Sequence, residues 1–457
     1  MKKLFGTDGV RGVANREPMT AETVLALGRA LAHICGGKPG SGGKILIGKD
    51  TRTSGYVFEN ALCAGICSMG MNVLLVGPMP TAGIAFLTLN MRCDAGAMIS
   101  ASHNPSEYNG IKFFFRDGFK LSDETEQRME DIVFSDSVRD VRPTAGSIGK
   151  ASRINDALGR YVVLAKSTFP KKLSLGGMKI AVDCANGAGY RAAPMIFEEL
   201  GARVISLGVR PDGHNINLNC GSMNPEHIRA AVWDTGAQIG IALDGDADRV
   251  ALSDENGEEV SGDQIIGIIA RDLLESGTLR KNAVVVTVMS NSGLELTLGE
   301  LGGSVIRTPV GDQYIVEKLR QERLNFGGEP TGHIVFMDHI TSSDGIIAAL
   351  QVVKIMVETG KTLSQLAARI RMVPQVLRNV EVSRKLKLEE IPDLKEAIRE
   401  SEFRLKNKGR LVVRYSGTQP VCRVMAEGED REELRQIVDM ISRIISRNLS
   451  VDATLLK

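Results

Sequence analysis

The segment from Ile239 to Val250 reads IGIALDGDADRV, an apolar run that opens into three carboxylates at alternate positions. Asp244, Asp246 and Asp248 in one tight loop repel one another, which would raise their pKa values or open the loop unless a hard divalent cation sits between them. Two other chemistries use this spacing. An EF-hand needs Gly at its sixth position, where Arg249 stands, and helices on both sides, where IGIAL and RVALS read as strands. A phosphatase of the haloacid dehalogenase type would use an Asp-x-Asp pair with one Asp as nucleophile, which leaves Asp248 over; it stands as the nearest competing enzyme class.

Three further loops carry reactive side chains. Met98 to Pro105 (MISASHNP) ends an apolar strand in two serines, His103 and a carboxamide, a set that suits a nucleophile with a base beside it, although Ser, Asn and Pro also build ordinary turns. Phe326 to Ile334 (FGGEPTGHI) brackets Glu329, Thr331 and His333 with glycines; the carboxylate and hydroxyl can grip sugar hydroxyls and the imidazole can exchange a proton. Val413 to Pro420 (VRYSGTQP), followed by Arg423, gathers guanidinium groups, hydroxyls and backbone N–H groups into an anion cradle. Gly37 to Lys44 (GKPGSGGK) looks like a phosphate loop, but Lys38 and Ile45 stand where a Walker motif needs Gly and Ser or Thr, so it reads as a linker.

Loops of this kind need strands to aim them. Lys44 to Asp50 followed by a helical pattern to about Met69 and a second apolar run, Asn72 to Val76, spells strand, helix, strand. The pattern recurs at Lys179 to Gly208 and at Ala283 to Thr308, and Gly70, Gly201 and Gly302 each close the helix three residues before a strand valine. The expectation is an α/β protein: three related α/β domains with mixed sheets, over residues 1–150, 151–255 and 256–369. A C-terminal α+β domain over 370–457 follows, with a polar stretch (Arg384 to Glu402), two strands (LVVRYSG and CRVMAEG) and a helix from Glu429 to Ile445.

A chain of 457 residues is long for one core and suits three or four domains at ~100–200 residues each. Lys and Arg number 56 against 55 Asp and Glu, so no global charge calls for nucleic acid or a membrane surface, and a charged ligand must be held locally. Seven scattered cysteines with no C-x-x-C pair fit reduced thiols in the cytoplasm; Cys63 and Cys67 read as small core residues. No apolar run long enough for a signal peptide or a membrane span occurs.

With these four loops in this order, the chain resembles the α-D-phosphohexomutase superfamily over essentially its whole length. Within it the likeness is to the bacterial phosphoglucosamine mutases, on LFGTDGVRG near the N-terminus and on SASHNP followed by Asn109-Gly-Ile-Lys-Phe113. The resemblance implies an isomerase acting on a hexosamine phosphate in amino-sugar metabolism, through phosphorylated Ser102 and a hexose 1,6-bisphosphate that is both intermediate and activator. It assigns one Mg²⁺ per chain to Asp244, Asp246, Asp248 and an oxygen on Ser102, with Arg249 facing the same phosphate. Arg11, His103, Lys112 and His333 would handle protons and phosphate, and Glu329 and Thr331 would meet the sugar. Arg414, Ser416, Gly417, Thr418 and Arg423 would hold the phosphate that is not being transferred; a homodimer is also implied. Pro330-Thr331 stand where such enzymes usually have Gln-Ser, and Gln419 where they tend to have Glu. Thr331 keeps a hydroxyl; glucosamine, glucose and mannose phosphates all stand as candidate substrates.

Overall fold

The computed structural model describes residues 4–6, 8–36, 43–406, 408–416 and 420–449 of the chain. Its strands form four sheets. The first has seven strands in the order Phe5–Gly6, Gly9–Val13, Tyr108–Phe115, Ala95–Ile99, Lys44–Lys49, Asn72–Pro78, Ala151–Arg153. Ala151–Arg153, expected to begin the second domain, instead pairs in parallel with Asn72–Pro78 as the edge of the first sheet. The second sheet runs Glu259–Val260, Val250–Ser253, Ile239–Leu243, Lys179–Asp183, Arg203–Leu207, and the third Ser304–Thr308, Ala283–Thr287, Phe326–Gly328, Ile334–Phe336.

The three strand, helix, strand units form in matching register. Lys44 pairs with Asn72, Lys179 with Arg203 and Ala283 with Ser304, each the start of a parallel ladder. Gly70, Gly201 and Gly302 take φ of +86°, +102° and +77°, the left-handed stop that turns each helix into its second strand. The likeness goes further than the sequence pattern did. In every unit a third strand pairs in parallel on the other side of the first, and an antiparallel fourth follows it. The turn between third and fourth strands is the serine loop in the first sheet, the three-Asp loop in the second and the Glu329 loop in the third. One fold repeated three times thus delivers one reactive loop from the same place each time, at the carboxyl end of a parallel strand.

Strands Ile239–Leu243 and Val250–Ser253 flank the acidic loop, as the strand reading required. The helix Gly345–Thr359 is seated against it: Gly345 N–H donates to Ala247 O at 3.0 Å, and a Cβ on Gly345 would lie 2.5 Å from Arg249 O. Asp344 caps that helix, accepting from the N–H groups of Ile346 and Ile347 at 2.9 and 3.0 Å, and takes a further bond from Tyr161 Oη at 2.8 Å. A single apolar cluster runs from Leu46 and Met79 through Ile180 and Leu243 to Val286 and Ile370, so these sheets share a core. The fourth sheet (Gln375–Glu381, Val421–Gly428, Gly409–Tyr415) is antiparallel and has its own core, which includes Leu394, Val424 and Ile441. The stretch read as polar contains the helix Pro392–Leu405, whose Leu394, Ala397 and Leu405 supply just enough apolar face to dock. The last helix spans Arg431–Leu449. Cys63 and Cys67 lie half-buried at the margin of a core rather than inside it, and all seven cysteines are free thiols.

Candidate active site

Ser102, Asp244, Asp246 and Asp248 are each at most 1 % exposed and come together from two sheets. Ser102 Oγ donates to Asp244 Oδ2 at 2.5 Å across 142 residues of chain. Its backbone is left-handed, φ +52°, and its N–H donates to Ser100 Oγ at 2.9 Å, so Ser100 shapes the turn while Ser102 presents its hydroxyl to the carboxylates. His103 Nδ1 lies 3.4 Å from Ser102 Oγ; burial, then Arg249 and Arg11, push this imidazole down to about 3, which leaves it a neutral acceptor.

The acidic cluster is only partly neutralised. Lys112 Nζ, from the strand beside the serine loop, donates to Asp248 Oδ2 at 2.6 Å and to Asp246 Oδ2 at 2.9 Å, and lies 3.2 Å from Asp8 Oδ2. Thr81 Oγ1 donates to Asp246 Oδ2 at 2.6 Å. Burial opposes the charge of Lys112, yet Asp246, Asp248 and Asp8 hold its pKa well above the ordinary value. Burial likewise opposes ionisation of Asp248, but Lys112 and His333 keep it well below the carboxylate range. Asp244 has less help: burial, then Asp248 and Asp246, push it up to about 8 against Arg249 and the Ser102 hydroxyl. Asp246 Oδ1 is buried without a partner, and one oxygen from each Asp lies within 4.8 Å of the others. Surplus negative charge, an orphaned oxygen and an all-oxygen donor set fit a hard divalent cation.

The third loop closes on the same group. His333 Nε2 donates to Asp248 Oδ1 at 3.0 Å and Nδ1 to Glu329 Oε1 at 2.7 Å. Burial would lower its pKa, but Asp248 outweighs that and raises it to about 10, so the ring is an imidazolium. Arg249 Nε–H points at His333 Nε2 from 3.2 Å, a bond that only the neutral ring can accept; with the ring charged, Nε2 gives its proton to Asp248 instead. Glu329 Oε1 also accepts from Thr331 Oγ1 at 2.5 Å, while Oε2 is buried and unpartnered, aimed at nothing in the protein. Despite burial, His333 and Thr331 bring Glu329 down to about 2. Arg11 pairs with Asp8 and reaches Asn104 Oδ1 and Ala101 O at 3.5 Å, which places it at the rim of the serine loop.

In the fourth sheet Arg414 and Arg423 face each other as direct cross-strand partners. Arg414 Nη1 and Arg423 Nε are buried without a bond partner. Burial, then Arg423, lower the Arg414 pKa, and Glu329 of the third domain opposes them. Ser416 lies beside them, its carbonyl accepting from Lys385 Nζ at 2.9 Å. Gly417 and Thr418 lie outside the described residues. Two guanidinium groups with unspent donors are chemically able to hold an anion.

A curated phosphoglucosamine mutase from Geobacter sp. (strain M21) is 55% identical over 454 residues, covering 99% of this chain and 100% of that protein. The chain belongs to the phosphoglucosamine mutase family. The Syntrophotalea carbinolica phosphoglucosamine mutase agrees at 52% identity over 98% of both chains. Phosphoglucomutase/phosphomannomutase alpha/beta/alpha domains I, II and III match residues 2–140, 160–257 and 261–372, and the C-terminal domain of that family matches 377–444. Among solved structures, a Burkholderia thailandensis phosphoglucomutase/phosphomannomutase family protein superposes with a TM-score of 0.82 at 22% identity, over 98% of this chain and 99% of that one. An Aspergillus fumigatus N-acetylphosphoglucosamine mutase in complex with GlcNAc-6P and magnesium does so at 0.66 and 19%, over 97% and 95%. Both share the fold.

For this family member, sequence reasoning missed Asp8, Thr81, Lys120 and Asp312. Lys120 Nζ bonds Asp8 Oδ1 and Asp312 Oδ2, each at 2.6 Å, and so ties the first domain to the third beside the Lys112 cluster. The only local signal was Asp8 inside GTDGVR; Lys120 and Asp312 are 192 residues apart and have no pattern in common.

Proposed function

We infer that this chain interconverts glucosamine 6-phosphate and glucosamine 1-phosphate by way of phosphorylated Ser102 and glucosamine 1,6-bisphosphate. The observation that carries the reading is the Ser102 to Asp244 hydrogen bond, which seats a nucleophile from one domain on the acidic loop of another. Asp244, Asp246, Asp248 and an oxygen on Ser102 would hold Mg²⁺, which when bound would offset charge on the phosphoryl oxygens.

The rest is done by the protein. A sugar hydroxyl oxygen forms its bond to phosphorus as the bond from phosphorus to Ser102 Oγ breaks, and the hydroxyl proton leaves as Oγ gains one. Neutral His103 is placed to take the Ser102 hydroxyl proton at Nδ1 in the return half, when Oγ attacks the bisphosphate, and His333 and Lys112 hold positive charge beside the reacting group. Glu329 Oε2, unspent, is available to a sugar hydroxyl or to the 2-ammonium group of glucosamine. Arg414 and Arg423 hold the distant phosphate. The bisphosphate must turn around in the closed site before its second phosphate returns to Ser102, so the cradle must accept either end. A phosphatase would use none of this second cradle. Free thiols support a cytoplasmic setting, and among the described residues no helix is long and apolar enough to cross a membrane. Homodimerisation, implied by the family, is read directly by light scattering.

The test is turnover of purified protein with Mg²⁺ on glucosamine 6-phosphate, glucose 6-phosphate and mannose 6-phosphate in parallel. Glucosamine 1-phosphate should be made fastest. Free inorganic phosphate as the sole product would support the phosphatase, and a faster glucose or mannose reaction would move the assignment to those sugars.

A further inference from the structure

Ser102 keeps a left-handed backbone that a residue with a Cβ rarely adopts, so something must hold it there. Its carbonyl oxygen accepts from Asn217 Nδ2 at 2.9 Å and from Arg52 Nη2 at 3.1 Å. The same two nitrogens also bond the carbonyl of Asn104, Asn217 at 3.0 Å. A terminal guanidinium nitrogen and an amide nitrogen carry two hydrogens each, so each bridges both carbonyls with no hydrogen left over. Arg52 is fully buried, and its other terminal nitrogen pairs with Asp50 on the same turn.

Asn217 belongs to the second domain and reaches across to the first. It is left-handed too, φ +59°, and its N–H donates to Ala185 O at 2.9 Å. Neighbouring bonds fasten the same seam: Thr51 Oγ1 to Asn186 O at 2.6 Å and Thr53 N–H to Gly213 O at 3.1 Å. The third wall is Gly245, in the acidic loop. A Cβ there would lie 2.5 Å from Ser102 O and 2.9 Å from Asn217 Nδ2, so only glycine lets the two loops approach this closely.

We propose that Arg52 and Asn217 are positioning residues that clamp the Ser102 and Asn104 carbonyls and thereby keep Ser102 Oγ on the acidic loop while its phosphate comes and goes. This rests on the phosphoserine reading above. Neither residue touches the sugar loop or the Arg414 and Arg423 cradle in the contacts described, so the clamp acts on the transfer step and not on substrate affinity. A phosphoserine freed to shift would meet water as well as the sugar hydroxyl, and hydrolysis would rise relative to transfer.

The test is Asn217→Gly, which keeps a left-handed backbone and removes both donors. Asn219→Gly, at another left-handed position of the same loop (φ +52°), is the control. Each variant is purified full length, labelled on Ser102 with glucose 1,6-bisphosphate, and followed for transfer to glucosamine 6-phosphate and for hydrolysis. Asn217→Gly should lower kcat roughly tenfold, the worth of about one hydrogen bond to a buried carbonyl, leave KM within about twofold, and raise the ratio of hydrolysis to transfer. Asn219→Gly should match wild type. Unchanged kcat in Asn217→Gly, an equal fall in both variants, or a KM that rises as kcat falls would each overturn the clamp. If Asn217→Gly fails to fold, Gly245→Ala attacks the same carbonyl from the other side and should show the same loss in kcat alone. A wild type that takes up no label on Ser102 would overturn the phosphoserine reading, and the clamp with it.

Discussion

Replacing Lys112 with Met keeps the length and apolar stem of the side chain and deletes one buried charge. The ammonium meets Asp248, Asp246 and Asp8 at 2.6, 2.9 and 3.2 Å, and its side chain is 1 % exposed. Breaking a buried ionic cluster by removing one partner costs about 3–5 kcal/mol, because the remaining charges stay desolvated and unpaired. Without metal, Lys112→Met should lose that much stability against urea. Mg²⁺ should return most of it. A ligand at about a hundredfold its Kd adds about 2.7 kcal/mol, and the variant should gain more than wild type because the ammonium no longer competes for Asp246 and Asp248. The assay is urea unfolding of both proteins in chelator and in Mg²⁺, with turnover measured alongside; kcat should fall, since a cation beside the transferring phosphoryl group is gone. A variant as stable as wild type in chelator, or one with a smaller Mg²⁺ increment, would refute the view that Lys112 and the metal share these carboxylates.

Asp246→Asn should weaken Mg²⁺ dependence and activity together, since Asp246 Oδ1 is a buried oxygen of the acidic loop with no partner in the protein; Mg²⁺ titration of turnover checks it, and chelation should silence the wild type reversibly. Arg423→Ala should raise KM roughly ten- to a hundredfold for each charge-assisted bond lost, at about 1.5–3 kcal/mol apiece, and should release more free bisphosphate per turnover. Asp263 is 5 % exposed, and burial pushes its carboxyl up to about 6 from an ordinary 3.8. A raised folded pKa means that ionisation works against the fold, so stability is lost as pH climbs from the unfolded towards the folded value. Asp263→Asn should therefore gain stability over wild type between about pH 4 and 6, reaching about 3 kcal/mol and staying level above, as thermal melts across pH would show.

The repeated unit was legible because strand, helix and glycine stop recur in one local register. How the third and fourth strands pair was not, although IGIAL and RVALS read as strands, because the helices that lead to the third strand carry unlike patterns: Thr81–Asn90 is buried on nearly every face, whereas Asp312–Glu322 is amphipathic and charged. Hence the equivalence of the three reactive loops emerged only from strand pairing. Ser102 and the three Asp residues could be read because their chemistry is compressed into six or so positions. Asp8, Lys120, Asp312, Arg52 and Asn217 could not, since each is a single polar residue with no local pattern, and the partner that gives it a role lies far along the chain. The helix Pro392–Leu405 was hidden for a related reason: its docking face rests on few apolar residues, and charges fill the rest.

In the proposed reaction Ser102 carries the phosphoryl group. The decisive measurement is the mass of the peptide containing Ser100 and Ser102, before and after mixing with glucosamine 6-phosphate. One phosphate is expected on Ser102 of the active protein, lost to the sugar on mixing and absent from an inactive Ser102→Ala variant that still folds. Full turnover by Ser102→Ala, or phosphate found on an aspartate of the acidic loop instead, would contradict it.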